Sequence, residues 1–371
     1  MGLVDIIVLV ITLSLFLPVQ NAALLDSFCK KENEAFIRIR QSEFGLYSAQ
    51  VCSDFKLDFY NTNGRMMLSS NSDIVVFRNC KINGFNDLFV SLFPNIFRLS
   101  LENCVINLTD SNGPPENSLY SLHIFNSTVL NNAKTSSFKG FKNLRNFYAI
   151  DTKFENPEIE SSIFNANMYR IVFSNCNLRK MFTSYESNEL IFLEVDGNSL
   201  KEPISYTPII MDSYNFANNN LSKLPSSMDI FKNDGSLKTL NVSNNQIELD
   251  ELSQKHLETF TKLEILDLSR NSRIATINTD AFKNCENLQH LNISNCKLES
   301  VFDNLQNLKN LKILDLSFNK LHEIQDIWSL KNVSEIYLQY NNLKFFFCGN
   351  NLPSSLKILD VSYNKILTFT S

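Results

Sequence analysis

Hydrophobic residues recur along the chain in one short pattern, which is clearest where residues 311–321 read LKILDLSFNKL and residues 356–366 read LKILDVSYNKI. Between these two copies, residues 333–343 read VSEIYLQYNNL. All three follow L-x-x-L-x-L-x-x-N-x-L, in which apolar residues stand eight, five and three places before an Asn. The alternation of apolar and polar residues before that Asn predicts a short β-strand with one buried face.

The pattern continues towards the N-terminus when Cys, Ser or Thr is also allowed in the Asn position, which we call the anchor. Successive anchors are separated by 21 to 26 residues, within the roughly 20–29 residues typical of leucine-rich repeats. The 13 anchors are Cys80, Cys104, Ser127, Thr152, Cys176, Asn198, Asn219, Asn245, Asn271, Cys296, Asn319, Asn341 and Asn364.

Repeats of this kind cannot fold alone, because each buries its apolar residues only against its neighbours. We therefore predict an α/β solenoid, a leucine-rich repeat horseshoe of about 13 repeats with a concave parallel β-sheet. The Asn anchors should bridge successive turns through their side-chain amides, whereas Ser and Thr can do so only in part and Cys does so poorly. The first half of the array should therefore have the weaker ladder of anchor hydrogen bonds.

The ends of the chain differ from the repeats. Residues 1–23 contain an apolar run and then small residues, which predicts a secretory signal peptide. The alternative is a signal sequence that is not cleaved and holds the chain in the membrane, because Asp5 stands where basic residues are usual. Residues 24–71 should form an N-terminal cap, with Phe55–Phe59 as a cap strand, and residues 72–371 the repeat domain. The final strand should leave an open sheet edge that a partner covers, unless the natural product is longer.

Composition narrows the function. The chain has 371 residues, of which 44% are hydrophobic and 20% charged, and a net charge of −5. These values exclude a disordered tail and give no basic field that would hold nucleic acid. No later apolar run reaches the roughly 18 residues of a membrane span. We therefore predict a secreted, extracellular protein without a stable membrane span in its mature form.

Eight cysteines are present. Four occupy anchors and should be buried thiols. Cys29 and Cys52 precede the first repeat, and we predict a disulfide between them. Cys285 and Cys348 are too far apart along the array to pair with each other. Either both are buried, or Cys348 forms an interchain disulfide that makes a homo- or heterodimer through the C-terminal end.

No pattern for catalysis or cofactor binding is found. The four histidines lack metal-ligand spacing, and neither a phosphate loop nor a nucleophile elbow is present. We predict a protein that is not an enzyme, has no cofactor and binds one or more protein ligands. The predicted ligand-binding residues are the polar and aromatic residues of the concave face in the first six repeats: Arg78, Arg98, Glu102, His123, Phe125, Tyr148, Arg170, Phe192, Glu194 and Asp196.

The later repeats place a plainer set of residues on the same face, with Asp267, Asp315 and Asp360 in one column and Ser in the next. We interpret this as a solvated stripe. Two glycosylation sequons also fall on this half, and a glycan at either would obstruct it. The six predicted glycosylation sites are Asn107, Asn126, Asn220, Asn241, Asn292 and Asn332.

The motifs LDLSRN (266–271), LDLSFN (314–319) and LDVSYN (359–364) identify a resemblance over about residues 72–366. The chain resembles secreted leucine-rich repeat proteins of animals, and is similar to insect leucine-rich immune proteins of the coil-less type and to Toll-like receptor ectodomains. This resemblance implies a protein-binding role in innate immunity. Two alternatives stay open: a structural or adhesive extracellular scaffold, and an inhibitor of a secreted hydrolase.

Overall fold

The computed structural model describes residues 29–32, 49–53, 56–58, 73–85, 90, 95–109, 118–132, 138, 140–160, 163–164, 167–181, 189–202, 211–224, 236–251, 257–277, 280–300, 305–347 and 352–370. The chain divides into two compact units, residues 1–178 and 179–371. The signal peptide predicted for residues 1–23 lies outside the described residues.

The described residues of the first unit form two sheets. In strand order, the larger sheet consists of β1 (Cys29–Glu32), β2 (Ala49–Ser53), β4 (Ile74–Arg78), β6 (Arg98–Glu102), β8 (Ser121–Phe125), β10 (Asn146–Ile150) and β13 (Arg170–Ser174). Parallel strands on the other side of the repeats form the second sheet: β3 (Lys56–Asp58), β5 (Lys81–Phe85), β7 (Val105–Leu108), β9 (Thr128–Leu130) and β11 (Lys153–Phe154). A further short strand, β12 (Glu158–Ile159), follows β11.

Among the described residues, three strands lie in the segment predicted to form the cap. Within the segment expected to form the cap strand, β3 pairs with β5 in the second sheet. The strand that extends the larger sheet is instead β2, parallel to β4. Strand β1 then pairs antiparallel with β2. The alternation in this segment predicted the strand correctly but did not identify its neighbour, because alternation alone does not say which strand it pairs with.

The second unit has one long row of parallel strands. These are β15 (Phe192–Glu194), β16 (Ser213–Asn215), β17 (Thr239–Asn241), β18 (Ile265–Asp267), β19 (His290–Asn292), β20 (Ile313–Asp315), β21 (Glu335–Tyr337) and β23 (Ile358–Asp360). Strand β14 (Lys180–Met181) precedes them, and β22 (Phe345–Phe347) pairs with β24 (Thr368–Thr370). Within the described part of this unit, the 3₁₀ helices Leu305–Asn307 and Gln325–Ser329 lie in return segments.

The strands are in register, as the repeat pattern requires. In the first unit Val75 lies opposite Leu99, and in the second Leu266 lies opposite Leu291, which lies opposite Leu314. The side chains of these five residues are fully buried. Each such side chain contributes about 1.5–3 kcal/mol when a neighbouring repeat covers it. The predicted solenoid of parallel strands is therefore confirmed in both units.

Anchor residues differ between the units. In the second unit, Asn319 Oδ1 accepts the N–H of Leu298 (3.1 Å), and its Nδ2 donates to the carbonyl of Ile293 (2.8 Å). In the first unit, Ser127 Oγ accepts the N–H of Cys104 (2.9 Å) and donates only weakly to a preceding repeat. The weaker ladder there coincides with the second sheet, whose backbone hydrogen bonds join the same repeats on their other side.

Candidate functional site

The candidate site lies on the face of the larger sheet that points away from the buried leucines, which we call the strand face. Its side chains form rows across the strands, because parallel strands in register place equivalent residues side by side about 4.8 Å apart. The first, second and third rows stand six, four and two places before each anchor. The residue directly before each anchor forms a fourth row at the edge of this face.

In the first unit, the first two rows are largely buried. Arg98 in the first row is 7% exposed, and His123 and Tyr148 in the second are 1% and 8% exposed. The repeat pattern predicts these three side chains on an exposed surface, and this prediction is wrong. Neighbouring strands lie so close together that large side chains in one row cover each other: the rings of His123 and Tyr148 stack with centroids 4.5 Å apart.

His123 is held on several sides. Its Nε2 is 2.7 Å from the hydroxyl oxygen of Ser121, and its ring also lies beside that of Phe125. Burial, followed by the nearby charge of Arg98, lowers the pKa of His123 to about 3. The imidazole is therefore neutral at physiological pH and acts as a packed ring of the sheet.

The third row of the first unit is the more exposed part. Arg78, Glu102 and Phe125 lie opposite one another on three neighbouring strands and are all half-buried. Arg78 Nε donates to Glu102 Oε2 at 2.7 Å, and the other carboxylate oxygen accepts from Ser100 Oγ at 3.3 Å. The register thus brings three of the predicted residues together in one partly exposed cluster.

The remaining predicted residues are partly exposed. Arg170 lies at the start of β13 in the first unit. Phe192 and Glu194 lie in β15, and Asp196 follows this strand, in the second unit. The predicted set therefore belongs to two separate units.

The fourth row was not predicted from the sequence. Every residue directly before an anchor has a positive φ, from 45° at Asn126 to 67° at Gly197. Asn, Asp and Gly tolerate this left-handed conformation best, and one of these three types occupies most of the row. In the first unit these amides are bonded to one another: Asn103 Nδ2 donates to Asn79 Oδ1 at 3.2 Å, and Asn126 Nδ2 to Asn103 Oδ1 at 2.7 Å. The recurrence of Asn before the anchor was the available sequence signal.

The acidic column of the later repeats has a structural role in its own turns. Asp267 Oδ1 accepts the N–H of Ser269 at 2.9 Å, and Asp315 Oδ1 accepts the N–H of Ser317 at the same distance. Asn292 makes the equivalent bond to the N–H of Ser294. The recurring D-x-S therefore closes a turn that Asn closes equally well, while the second carboxylate oxygen adds charge to the strand face.

Among the described residues, Cys80, Cys104, Cys176, Cys285 and Cys296 are buried and form no disulfide, which confirms the buried-thiol interpretation for the four at anchors and for Cys285. Burial raises the pKa of Cys285 to about 12 and that of Cys296 to about 11. The backbone register places Cys29 opposite Cys52. The disulfide between them stays a prediction, as does an interchain bond at Cys348, which lies outside the described residues.

Five of the predicted glycosylation sites have side chains that are already hydrogen-bonded to the protein: Asn107, Asn126, Asn241, Asn292 and Asn332. Asn126 lies in the fourth row, beside Phe125 of the candidate cluster, and Asn241 and Asn292 cap turns on the second unit's strand face. Asn220 and Asn332 are exposed, and Asn107 lies in β7. A glycan on Asn126 would therefore crowd the first unit's cluster, which the sequence analysis did not foresee.

Metal-ligand clusters are absent from the part of the chain that the structure describes. No group of three or more His, Cys, Asp or Glu residues there could hold a metal ion. Among the same residues, no helix is both long and apolar enough to cross a bilayer.

Comparison with known proteins identifies the repeats independently. Leucine rich repeat families match residues 235–298 and 286–328. Lumican of Mus musculus is 30% identical over 197 residues, which cover 47% of this chain and 55% of lumican. Lumican of Bos taurus is 29% identical over 241 residues, covering 58% of this chain and 66% of lumican. The chain thus matches between about half and two thirds of these relatives' length.

Solved structures show the same fold at low identity. The internalin InlF of Listeria monocytogenes has a TM-score of 0.56 and 18% identity, with 81% of this chain and 82% of that chain covered. The leucine-rich repeat domain of FLRT2, solved in a complex with Latrophilin 3 and Unc5D, has a TM-score of 0.58 and 18% identity, with 72% and 84% covered. The chain is therefore a leucine-rich repeat solenoid, by sequence over residues 235–328 and by fold over its described residues.

Proposed function

We propose that this chain is an extracellular protein-binding protein of innate immune recognition, which contacts its ligand through the third and fourth rows of the first unit's strand face. The observation that carries this proposal is the cluster of Arg78, Glu102 and Phe125 on three neighbouring strands. Arginine and aromatic side chains are enriched at protein interfaces and at the positions that dominate their affinity.

The cluster is arranged for binding because its side chains are held in place before a ligand arrives. The Arg78–Glu102 pair fixes two long side chains that would otherwise lose rotamer freedom on binding, a cost of about 0.5–1.5 kcal/mol each. The neighbouring amides of Asn79 and Asn103 offer further donors and acceptors along the same edge. Arg98, His123 and Tyr148 lie in the buried first and second rows. They pack beside this cluster and do not contact the ligand.

The wider assignment has two supports outside the cluster. The N-terminal segment predicts export, and FLRT2, a protein of this fold, is found assembled with other proteins. The immune role follows from the resemblance of the repeats to insect immune proteins and Toll-like receptor ectodomains. It is the most specific part of the proposal and the first that an identified ligand would test.

The test is to purify the tagged, secreted chain with its partners from extracellular fluid, identify them by mass spectrometry and then measure the affinity of each purified partner. Complement-like proteins would support the immune role. Matrix proteins would favour the adhesive scaffold, and a hydrolase whose activity falls on binding would favour the inhibitor.

Two variants then locate the contact. Arg78→Glu combined with Phe125→Ser should weaken binding of the identified partner by about tenfold or more, the range of an interface hot spot. Lys357→Glu, an exposed charge reversal in the second unit, is the control and should change little. Unchanged affinity in the double variant would refute the assignment of this face. Charge reversal at buried Arg98 would test folding and not binding.

A further inference from the structure

The residue types in the fourth row change in the last three repeats of the second unit. Its members are polar residues or Gly as far as Asn295, but the last three are Phe318, Tyr340 and Tyr363, which we call the aromatic row. The rings stack in sequence: Phe318 and Tyr340 have centroids 4.4 Å apart with planes 13° apart, and Tyr340 and Tyr363 are 4.2 Å apart at 4°. Phe318 and Tyr340, which have repeats on both sides, are nevertheless 48% and 43% exposed.

The fold does not require aromatic residues at these positions. Asn244 and Asn295 fill the same place in other repeats with the same backbone conformation. A bulky side chain at positive φ costs about 1–2 kcal/mol relative to the ordinary conformation, and these rings add nothing to the core. Stacking of two aromatic rings contributes only about 0.5–1.5 kcal/mol of stability per pair. An exposed apolar surface of this kind points to a binding partner.

The residues beside the aromatic row are acidic, so they favour a positively charged partner. Asp315, Tyr337 and Asp360 lie opposite one another on β20, β21 and β23. Glu335 lies on the same face, and its Oε2 accepts a hydrogen bond from the hydroxyl of Tyr337 at 2.8 Å. This bond raises the pKa of Tyr337, and the charges of Asp315 and Asp360 add to the effect.

The charge on this surface is of one sign only. The strand-face segments 313–318, 335–340 and 358–363 contain three carboxylates and no Lys, Arg or His. Within these segments, the Oε1 atom of Gln339 is buried and has no hydrogen-bond donor.

We propose that the aromatic row and the three carboxylates form a second binding surface, whose occupant is a protein segment carrying arginine side chains. A guanidinium group is planar, stacks on aromatic rings and donates to carboxylates and amide oxygens at once. The charge complementarity excludes an acidic segment or a nucleic acid backbone as the occupant. A bare metal ion does not fit, because Asp315 and Asp360 stand two strands, or about 10 Å, apart.

The probe is a fluorescein-labelled peptide of alternating Arg and Gly, compared with peptides of Lys and Gly and of Glu and Gly. Binding to the full chain is measured by fluorescence anisotropy at physiological ionic strength, after enzymatic removal of any N-glycans so that Asn292 and Asn332 are unmodified. The Arg peptide should bind most tightly, the Lys peptide more weakly because ammonium does not stack, and the Glu peptide not at all. Absence of Arg peptide binding would overturn the proposal.

Variants separate this surface from general charge attraction. Phe318→Asn with Tyr340→Asn should lower the affinity for the Arg peptide by about tenfold, and Asn suits the backbone at both positions. Asp315→Asn with Asp360→Asn should give a similar loss and a weaker salt dependence, with the turns preserved because Asn closes the same turn at Asn292. Circular dichroism and thermal unfolding check that each variant is folded.

The matched control is Asp267→Asn, in the same row two strands away from Asp315. It should alter affinity by less than about twofold, because exposed charges at that distance are largely screened. Equal losses in the control and in the Asp315 variant, or wild-type affinity in the aromatic variant, would overturn the proposal. Phe125→Ser in the first unit should leave Arg peptide binding unchanged, so a failure of this surface can be told apart from a failure of the proposed function.

Discussion

The anchor ladder of the second unit gives the sharpest prediction. We expect Asn319→Ala to destabilise the protein strongly, because Asn319 is 8% exposed and bonded to several backbone groups. Its Oδ1 accepts the N–H of Leu298, and its Nδ2 donates to the carbonyls of Ile293, Leu316 and Ser317.

The magnitude depends on which of these groups keep another partner. The carbonyl of Leu316 also accepts from Asn341 Nδ2, and that of Ser317 also accepts from the N–H of Asn295. The N–H of Leu298 and the carbonyl of Ile293 have no other bond assigned in the described structure. Leaving a buried backbone group unsatisfied costs about 1–3 kcal/mol, so the two together give a loss of about 2–6 kcal/mol.

Urea unfolding followed by far-UV circular dichroism measures the loss, and amide hydrogen exchange locates it. Exchange at the Leu298 N–H should accelerate far more than exchange in the first unit. The matched control is Asn310→Ala: Asn310 also donates to a carbonyl of the preceding repeat, that of Glu286 at 2.9 Å, but is exposed. Water can replace that bond, so the control should cost less than about 1 kcal/mol. A loss for Asn319→Ala no larger than for Asn310→Ala would refute the reasoning.

Three further predictions concern the titratable and redox groups. Cys29 and Cys52 should resist alkylation in the unreduced protein and appear as one linked peptide in a digest, and breaking their bond should cost about 3 kcal/mol. Cys285 and Cys296 should resist iodoacetamide at pH 8 in the native state and react after unfolding, because burial disfavours their thiolates. The free energy of unfolding should fall as pH drops from about 6.5 towards 3, since His123 binds a proton in the unfolded state but not in the folded state. The slope of this free energy against pH should approach about 1.4 kcal/mol per pH unit. The variant His123→Gln should lack this contribution.

Each of these three has a contradicting result. Alkylation of both N-terminal cysteines without reductant would exclude their disulfide. Rapid modification of Cys285 in the native protein would show that it is accessible. A pH dependence unchanged in His123→Gln would mean that this imidazole is already exposed or protonated in the folded state.

Several elements of the fold were predictable because the same residue pattern recurs in every repeat. The thirteen anchors give the strand register within each unit, since every strand must present its apolar residues to the same side. Leu314 and Leu266 could therefore be placed opposite their neighbours before any coordinates were known. The cap was harder, because β2 and β3 lack the repeat pattern and their pairing depends on which neighbours are within reach.

The candidate site was predictable only in part. The three rows of the strand face follow from residue positions, but exposure does not: His123 and Arg170 both qualify by pattern, and only Arg170 is partly exposed. Burial depends on the sizes of side chains in neighbouring strands, which come from residues more than 20 positions away. The same holds for the aromatic row, whose rings are 22 and 23 residues apart and stack only because the solenoid turns bring them together.

The sequence by itself determined the repeat, the parallel strands and the position of every anchor, because a strict spacing of leucines permits one way to share a core between neighbours. The tertiary structure decided which polar side chains are covered, which anchors close a hydrogen-bonded ladder and where rings meet. These properties arise from contacts between different repeats. Side chains that the pattern treats as equivalent, such as Asn295 and Tyr340, therefore acquire different roles from the neighbours against which they lie.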